Sequence, residues 1–95
     1  MAYFVYVLAS KRNGTLYIGV TSSLAARLQQ HLDGVGGQFT REHRVSLLVH
    51  VEMFDDVRDA IQREKTLKKW NRKWKLELIE HDNPAWRDLS EDLLV

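Results

Sequence analysis

The stretch Gly14–Val20, GTLYIGV, decides how this chain folds. It leaves the turn signal KRNG at 11–14, and the segment before that turn, AYFVYVLAS at 2–10, is rich in aromatic and β-branched residues. Two such runs around a polar, glycine-containing turn predict a β-hairpin. The second strand is unusual because Tyr17 and Gly19 stand where aliphatic residues are the common choice. Side chains alternate along strands, so the pairing parity decides which residues share a face. With Tyr6 opposite Tyr17, the residues Val5, Val7, Leu16 and Ile18 form one aliphatic face, and Phe4, Tyr6, Leu8, Tyr17 and Gly19 form the other. A slip by one residue would mix the two sets, so the segregated register is expected. It gathers two phenols beside a glycine that lets another group come close to the backbone. A structural tyrosine pair with wet hydroxyls and a working site both satisfy that face.

After the hairpin, TSSLAARLQQHL begins with Ser22 or Ser23 as N-cap and repeats Leu24, Leu28 and Leu32 at helical spacing. Arg27 and His31, four apart, share a side next to that stripe. Such a pair can clamp a phosphate and handle a proton, and it also occurs as plain solvated surface. DGVGGQFTREHR at 33–44 reads as a loop, and VSLLVHVEMF at 45–54 as a third, largely buried strand. Asp55 or Asp56 caps a second helix that runs to about Trp70. NRKWKLELIEHD continues as a third helix after a break near Asn71, and Pro84 opens a short last helix as an N1 proline does. The order β-β-α-β-α-α-α predicts an α+β fold, a three-stranded sheet with helices packed on it.

The second helix carries Val57, Ala60, Ile61 and Leu67 on its apolar side, and Glu64 completes that stripe. An inward carboxylate costs several kcal/mol unless paired, so it calls for a salt bridge or a hard metal ion such as Mg²⁺. Between Arg63 and Lys75 seven cations face the single acid Glu64, whereas the tail beyond is acidic, so a net charge of only +1 hides a basic block. Lys65, Lys68, Lys69, Arg72, Lys73 and Lys75 of this block are candidate nucleic-acid contacts, with a solvated helix face as the plain alternative. Trp70 and Trp74, interleaved among the cations, are expected as core anchors more than as stacking platforms.

At 95 residues, 44% hydrophobic and 28% charged, the chain is expected to form one globular domain over 1–95. With no cysteine, disulfide frameworks and thiolate metal sites are excluded, and a reducing, cytoplasmic setting is expected. The apolar opening MAYFVYVLAS falls well short of the ~20 residues of a membrane span, so no membrane association is expected.

Together these stretches resemble the GIY-YIG nuclease superfamily, and most closely its small single-domain branch. FVY at Phe4–Tyr6 stands at the first tripeptide, and YIG at Tyr17–Gly19 is the second. RLQQH supplies the helix arginine as Arg27, with His31 after it. AIQREKTLKKW resembles the metal-binding helix, with Glu64 as ligand, and NPAW places Asn83 at the late asparagine. The resemblance implies an antiparallel three-stranded sheet and hydrolysis of DNA phosphodiesters with one divalent cation, Mg²⁺ or Mn²⁺, held by Glu64. RNA and a protein partner stay open. It implies Tyr17 as general base or water-positioning group. A free phenol titrates near about 10, so this role needs a cation nearby. It further implies Tyr6 in support, Arg27 on the transition-state charge, His31 as proton shuttle or phosphate ligand, and room beside Gly19 for the scissile phosphate. Phe4 and Val5 replace the namesake Gly and Ile, and Val20 stands where repair members carry lysine. A non-catalytic nucleic-acid-binding module on the same scaffold is the alternative.

Overall fold

The computed structural model describes residues 1–32 and 45–93. Its elements are β1 (Tyr3–Ala9), β2 (Leu16–Thr21), α1 (Leu24–Leu32), β3 (Leu47–Phe54), α2 (Val57–Lys69), α3 (Arg72–Asp82) and α4 (Ser90–Leu93). The strands form one antiparallel sheet in the order β2-β1-β3, so the α+β architecture and element order agree with the sequence pattern. The loop expected over 33–44 and the side chain of Leu32 lie outside the described residues. No helix among the described residues is long and apolar enough to cross a membrane.

The hairpin turn closes with Ser10 N donating to the Thr15 carbonyl at 3.0 Å and Gly14 N to that of Lys11 at 2.9 Å. Asn13 takes φ 58°, a left-handed conformation that asparagine tolerates better than most residues. The carbonyls of Asn13 and Gly14 both accept from Arg72 Nη2 at 2.6 Å, which ties the turn to the start of α3.

The register differs from the expected one by two residues: Tyr6 faces Gly19, and Tyr17 faces Leu8. A two-residue shift conserves parity, so both predicted faces survive. The role of Gly19 changes, however. A Cβ there would stand 2.5 Å from Tyr6 Oη and 2.6 Å from its Cζ, so the glycine makes room for the Tyr6 ring and not for a phosphate. Gly19→Ala should therefore overpack a buried ring and destabilise the fold by about 1–3 kcal/mol, read as a lower thermal midpoint.

Helices cover both sides of the sheet. On the aliphatic side Val5, Val7, Ala9, Ile18 and Val49 meet Ala60 and Leu67 of α2, Ile79 of α3 and Trp86. On the tyrosine side Tyr6, Leu8 and Leu48 meet Leu24 and Leu28 of α1 and Val45, flanked by Tyr17 and Leu89. That second face is thus half of the core, with Tyr6 only 1% exposed. A bulge between β1 and β3 pairs Val7 with His50 but Leu8 with Leu48. The extra residue, Val49, turns His50 and Glu52 toward the α2 side.

Asp56 caps α2 by accepting from Arg58 N, and Asn71 caps α3 by accepting from Trp74 N at 2.9 Å. Two expectations at this end are corrected. Pro84 sits in a turn and opens no helix; α4 begins at Ser90, where Asp88 Oδ1 accepts from both Ser90 N and Ser90 Oγ. Of the two tryptophans expected as core anchors, half-buried Trp70 packs against the aliphatic core but Trp74 is 52% exposed, and the fully buried tryptophan is Trp86.

Candidate active site

Tyr6, Tyr17 and His31 meet on the α1 side of the sheet. Strand parity carries the two phenols, and the second turn of α1 swings the imidazole over them. The Tyr6 and Tyr17 ring centroids are 6.2 Å apart, and His31 lies edge-on at 6.1 Å from Tyr6 and 5.5 Å from Tyr17. Tyr6 Oη and His31 Nε2 are hydrogen-bonded at 3.4 Å. Burial, followed by the nearby Arg27 guanidinium, lowers the His31 pKa from its ordinary 6.5, so the imidazole is neutral at neutral pH. Its buried Nδ1 has no hydrogen-bond partner among the described residues.

Burial also raises the Tyr6 pKa far above its ordinary value, reinforced by Tyr17 and Glu64 and opposed by Arg27. Arg27 and Glu64 therefore both act on the same phenol from α1 and α2, and Tyr6 stays protonated as a hydrogen-bonding support. Of the six residues expected in catalysis, Tyr6, Tyr17 and His31 are in mutual contact, and Arg27 and Glu64 act on Tyr6 electrostatically.

Asn83, also expected in catalysis, is held by backbone partners. Its Nδ2 donates to the carbonyls of Val49 at 3.2 Å and Arg87 at 2.9 Å, and its Oδ1 accepts from Arg87 N at 3.0 Å. A buried amide occupied in this way stitches the C-terminal turn to β3. Arg72, bound to the hairpin turn, is likewise engaged inside the protein, whereas Lys65, Lys69 and Lys73 are exposed and pair with no carboxylate among the described residues. Lys68 and Lys75 line a groove with Leu16, Tyr17 and Ile18, which brings two cations of the basic block beside Tyr17. Arg27 lines a second groove with Thr21, Ser22, Val57 and Ile61.

Glu64 is 16% exposed at its side chain and accepts from Lys68 Nζ at 3.4 Å across one helical turn. A pair of this kind is worth only about 0.3–0.5 kcal/mol, so the lysine can be displaced. Among the described residues no group of three or more His, Cys, Asp or Glu side chains could cage an ion. One partly exposed hard carboxylate nevertheless suits Mg²⁺ or Mn²⁺, which binds through one or two carboxylates plus substrate phosphate and keeps several waters.

The profile of the GIY-YIG catalytic domain matches residues 2–77, which takes in β1, β2, Arg27, His31 and Glu64. The chain belongs to the GIY-YIG family. A UPF0213 protein of Staphylococcus haemolyticus is 37% identical over 78 residues, 82% of this chain and 94% of that one. A UPF0213 protein of Bacillus velezensis is 40% identical over 79 residues, 83% of this chain and 79% of that one. The solution NMR structure of the UPF0213 protein BH0048 from Bacillus halodurans superposes with a TM-score of 0.59 at 25% identity, covering 96% of each chain. The GIY-YIG match ends inside α3, so Asn83 lies beyond it.

This GIY-YIG domain also holds a charged network that sequence reasoning missed. Glu52 Oε2 is 2.8 Å from His50 Nε2, and Arg63 binds the same carboxylate in two-pronged fashion at 2.8 and 3.1 Å. Arg63 in turn lies 5.2 Å from the centroid of the Trp70 ring. The bulge at Val49, which has no sequence signature, is what aims Glu52 at α2. Arg63 directly precedes Glu64, so this clamp also fixes the rotation of the helix that carries the proposed metal ligand.

The hydrogen bond to His50, with Arg63 adding to it against burial, lowers the Glu52 pKa from 4.5 to about 2. A depressed carboxylate contributes stability that is complete above its unfolded value and is lost as pH falls through the folded one. The loss should therefore run from about pH 4.5 down to about 2 and amount to about 3 kcal/mol. Urea unfolding midpoints of wild type and Glu52→Gln should differ most at neutral pH and converge across that acid window.

Proposed function

We propose that the protein is a metal-dependent endonuclease that hydrolyses DNA phosphodiester bonds. The observation that supports this reading is the Tyr6, Tyr17 and His31 cluster in a GIY-YIG domain, with Arg27 and Glu64 acting electrostatically on Tyr6. Glu64 would hold Mg²⁺ or Mn²⁺. When bound, the ion supplies Lewis-acid charge to a phosphate oxygen and to the leaving 3′-oxygen.

The chain's own residues perform the rest. The Tyr17 hydroxyl positions the attacking water in line with the scissile bond and relays its proton. His31, neutral and edge-on to the Tyr17 ring, would take that proton on Nδ1, the ring nitrogen without a partner among the described residues, while its Nε2–H donates to Tyr6 Oη. Tyr6 remains protonated and holds His31 through the 3.4 Å hydrogen bond. The Arg27 guanidinium faces the charge that builds on the phosphorane-like transition state. Lys68 and Lys75, beside Tyr17, hold the flanking phosphates of the same strand, and the exposed lysines of α2 and α3 extend that electrostatic track.

The test is the chemistry of the products. Incubation with single-stranded, duplex, flap, junction and RNA substrates should give cleavage of at least one DNA form in Mg²⁺ or Mn²⁺ and none in a chelator. The nicked ends should carry 5′-phosphate and 3′-hydroxyl groups that DNA ligase reseals. Ends with 3′-phosphate would contradict the assigned leaving group.

A further inference from the structure

On the outer side of the α2–α3 corner the sequence Lys69-Trp70 recurs four residues on as Lys73-Trp74. Trp70 and Trp74 stand edge to face, with ring centroids 5.8 Å apart at 88°, and with Glu77, Leu78 and His81 they line an open groove. Trp74 leaves half of its surface in water. An indole so placed contributes little to the core, because its apolar area remains largely unburied. The groove is also held rigid from behind. Trp70 is pinned by Arg63, Arg63 by Glu52, and Glu52 by His50, so little ordering is left for a ligand to impose.

We infer that Trp74, backed by Trp70, is a stacking platform for an unpaired nucleobase of the substrate strand. The inference rests on the nuclease reading and adds a subsite to it. The charge of the corner selects the occupant. Lys69 and Lys73 are exposed, pair with no carboxylate among the described residues, and each directly precedes a groove tryptophan. Lys75, the next residue after Trp74, lines the groove at Tyr17, so the platform adjoins the proposed path of the strand. A nucleic acid alone brings both an anionic backbone for the lysines and a π face for the indole, and a base can reach that face only when it is out of the duplex. Glu77 and His81 on the groove wall offer hydrogen-bonding groups to the base edge.

The test is equilibrium binding in chelator, so that nothing is cut, of three labelled ligands: a single-stranded oligonucleotide, its fully abasic analogue and a duplex. Trp74→Ala should weaken the single strand about 5- to 100-fold while leaving the abasic strand and the duplex as in wild type. The slope of log affinity against log salt should not move, because no cation is removed. Trp74→Phe should restore most of the affinity. Lys73→Ala should instead weaken all three ligands and reduce the salt slope by about 1. Unchanged single-strand affinity in Trp74→Ala, or an equal loss on the abasic strand, overturns the platform. So does an acidic amphipathic peptide that quenches Trp74 fluorescence where the single strand does not, which would assign the groove to a protein. A wild type that binds and cuts DNA with Trp74→Ala unaffected removes the platform alone, whereas a wild type that binds none of the ligands removes the nuclease reading with it.

Discussion

Glu64→Ala should abolish metal-dependent cleavage, with a rate loss of roughly 10³-fold or more. Glu64 of α2 acts electrostatically on Tyr6, and several kcal/mol of transition-state stabilisation would go with the ion proposed for it. The fold should survive, because the side chain gives up only a weak pair with Lys68 and alanine is a better helix former than glutamate. Thermal midpoints within a few degrees of wild type would separate loss of chemistry from loss of structure. Glu64→Gln keeps the shape and removes the charge, so it should fall with Glu64→Ala if the carboxylate is needed for the metal. Were it to keep activity, the side chain would act by hydrogen bonding alone.

Tyr17→Phe should lower the single-turnover rate by about 10²–10⁴-fold with little change in substrate affinity. The substitution keeps the ring, its edge contact with His31 and its place across from Leu8, and it removes the hydroxyl, with its hydrogen bond to Tyr6 and its proposed role in positioning water. Arg27→Ala should cost a comparable factor, about 10²–10³-fold, through lost charge stabilisation. Tyr6 is a different case. Its hydroxyl is buried against His31, so Tyr6→Phe should lower stability and rate together. If Tyr17→Phe cut at the wild-type rate, the water-positioning role would pass to His31.

The features governed by local periodicity are the ones legible in the sequence. Strand alternation alone separates Tyr6 and Tyr17 from Val5, Val7 and Ile18, and it does so even though the expected partner of Tyr6 is off by two residues, because parity is all that the face assignment needs. Helical spacing likewise turns Ala60 and Leu67 inward with Glu64 only 16% exposed beside them, whereas Val57 and Ile61 of the same expected stripe are exposed. What periodicity does not encode is how elements meet. Gly19 reads as open space beside a strand, but the space belongs to the ring of Tyr6, on the other strand of the hairpin and directly across the ladder. The Val49 bulge depends on cross-strand geometry, so the His50, Glu52 and Arg63 clamp that it creates leaves no mark on the chain.

At the C-terminal end the polar and apolar residues of α3 alternate too closely to mark a single buried face. Ile79 and Asn83, four apart, turn out to point inward, and Trp74 outward. Asn83 shows the limit of reading a role from position: its amide is tied to Val49 and Arg87, so Asn83→Ala should act on the stability of the C-terminal turn before it acts on chemistry.

The most direct test of the central claim is a side-by-side cleavage assay of wild type and Glu64→Ala, purified identically, on one panel of labelled single-stranded, duplex, flap, junction and RNA substrates in Mg²⁺ and in Mn²⁺. Ligatable products on at least one DNA substrate from wild type, and none from Glu64→Ala, is the predicted result. Equal cutting by both proteins would contradict the assigned metal ligand, and a wild type that binds DNA but cuts nothing in either metal would show a non-catalytic binding module on this scaffold.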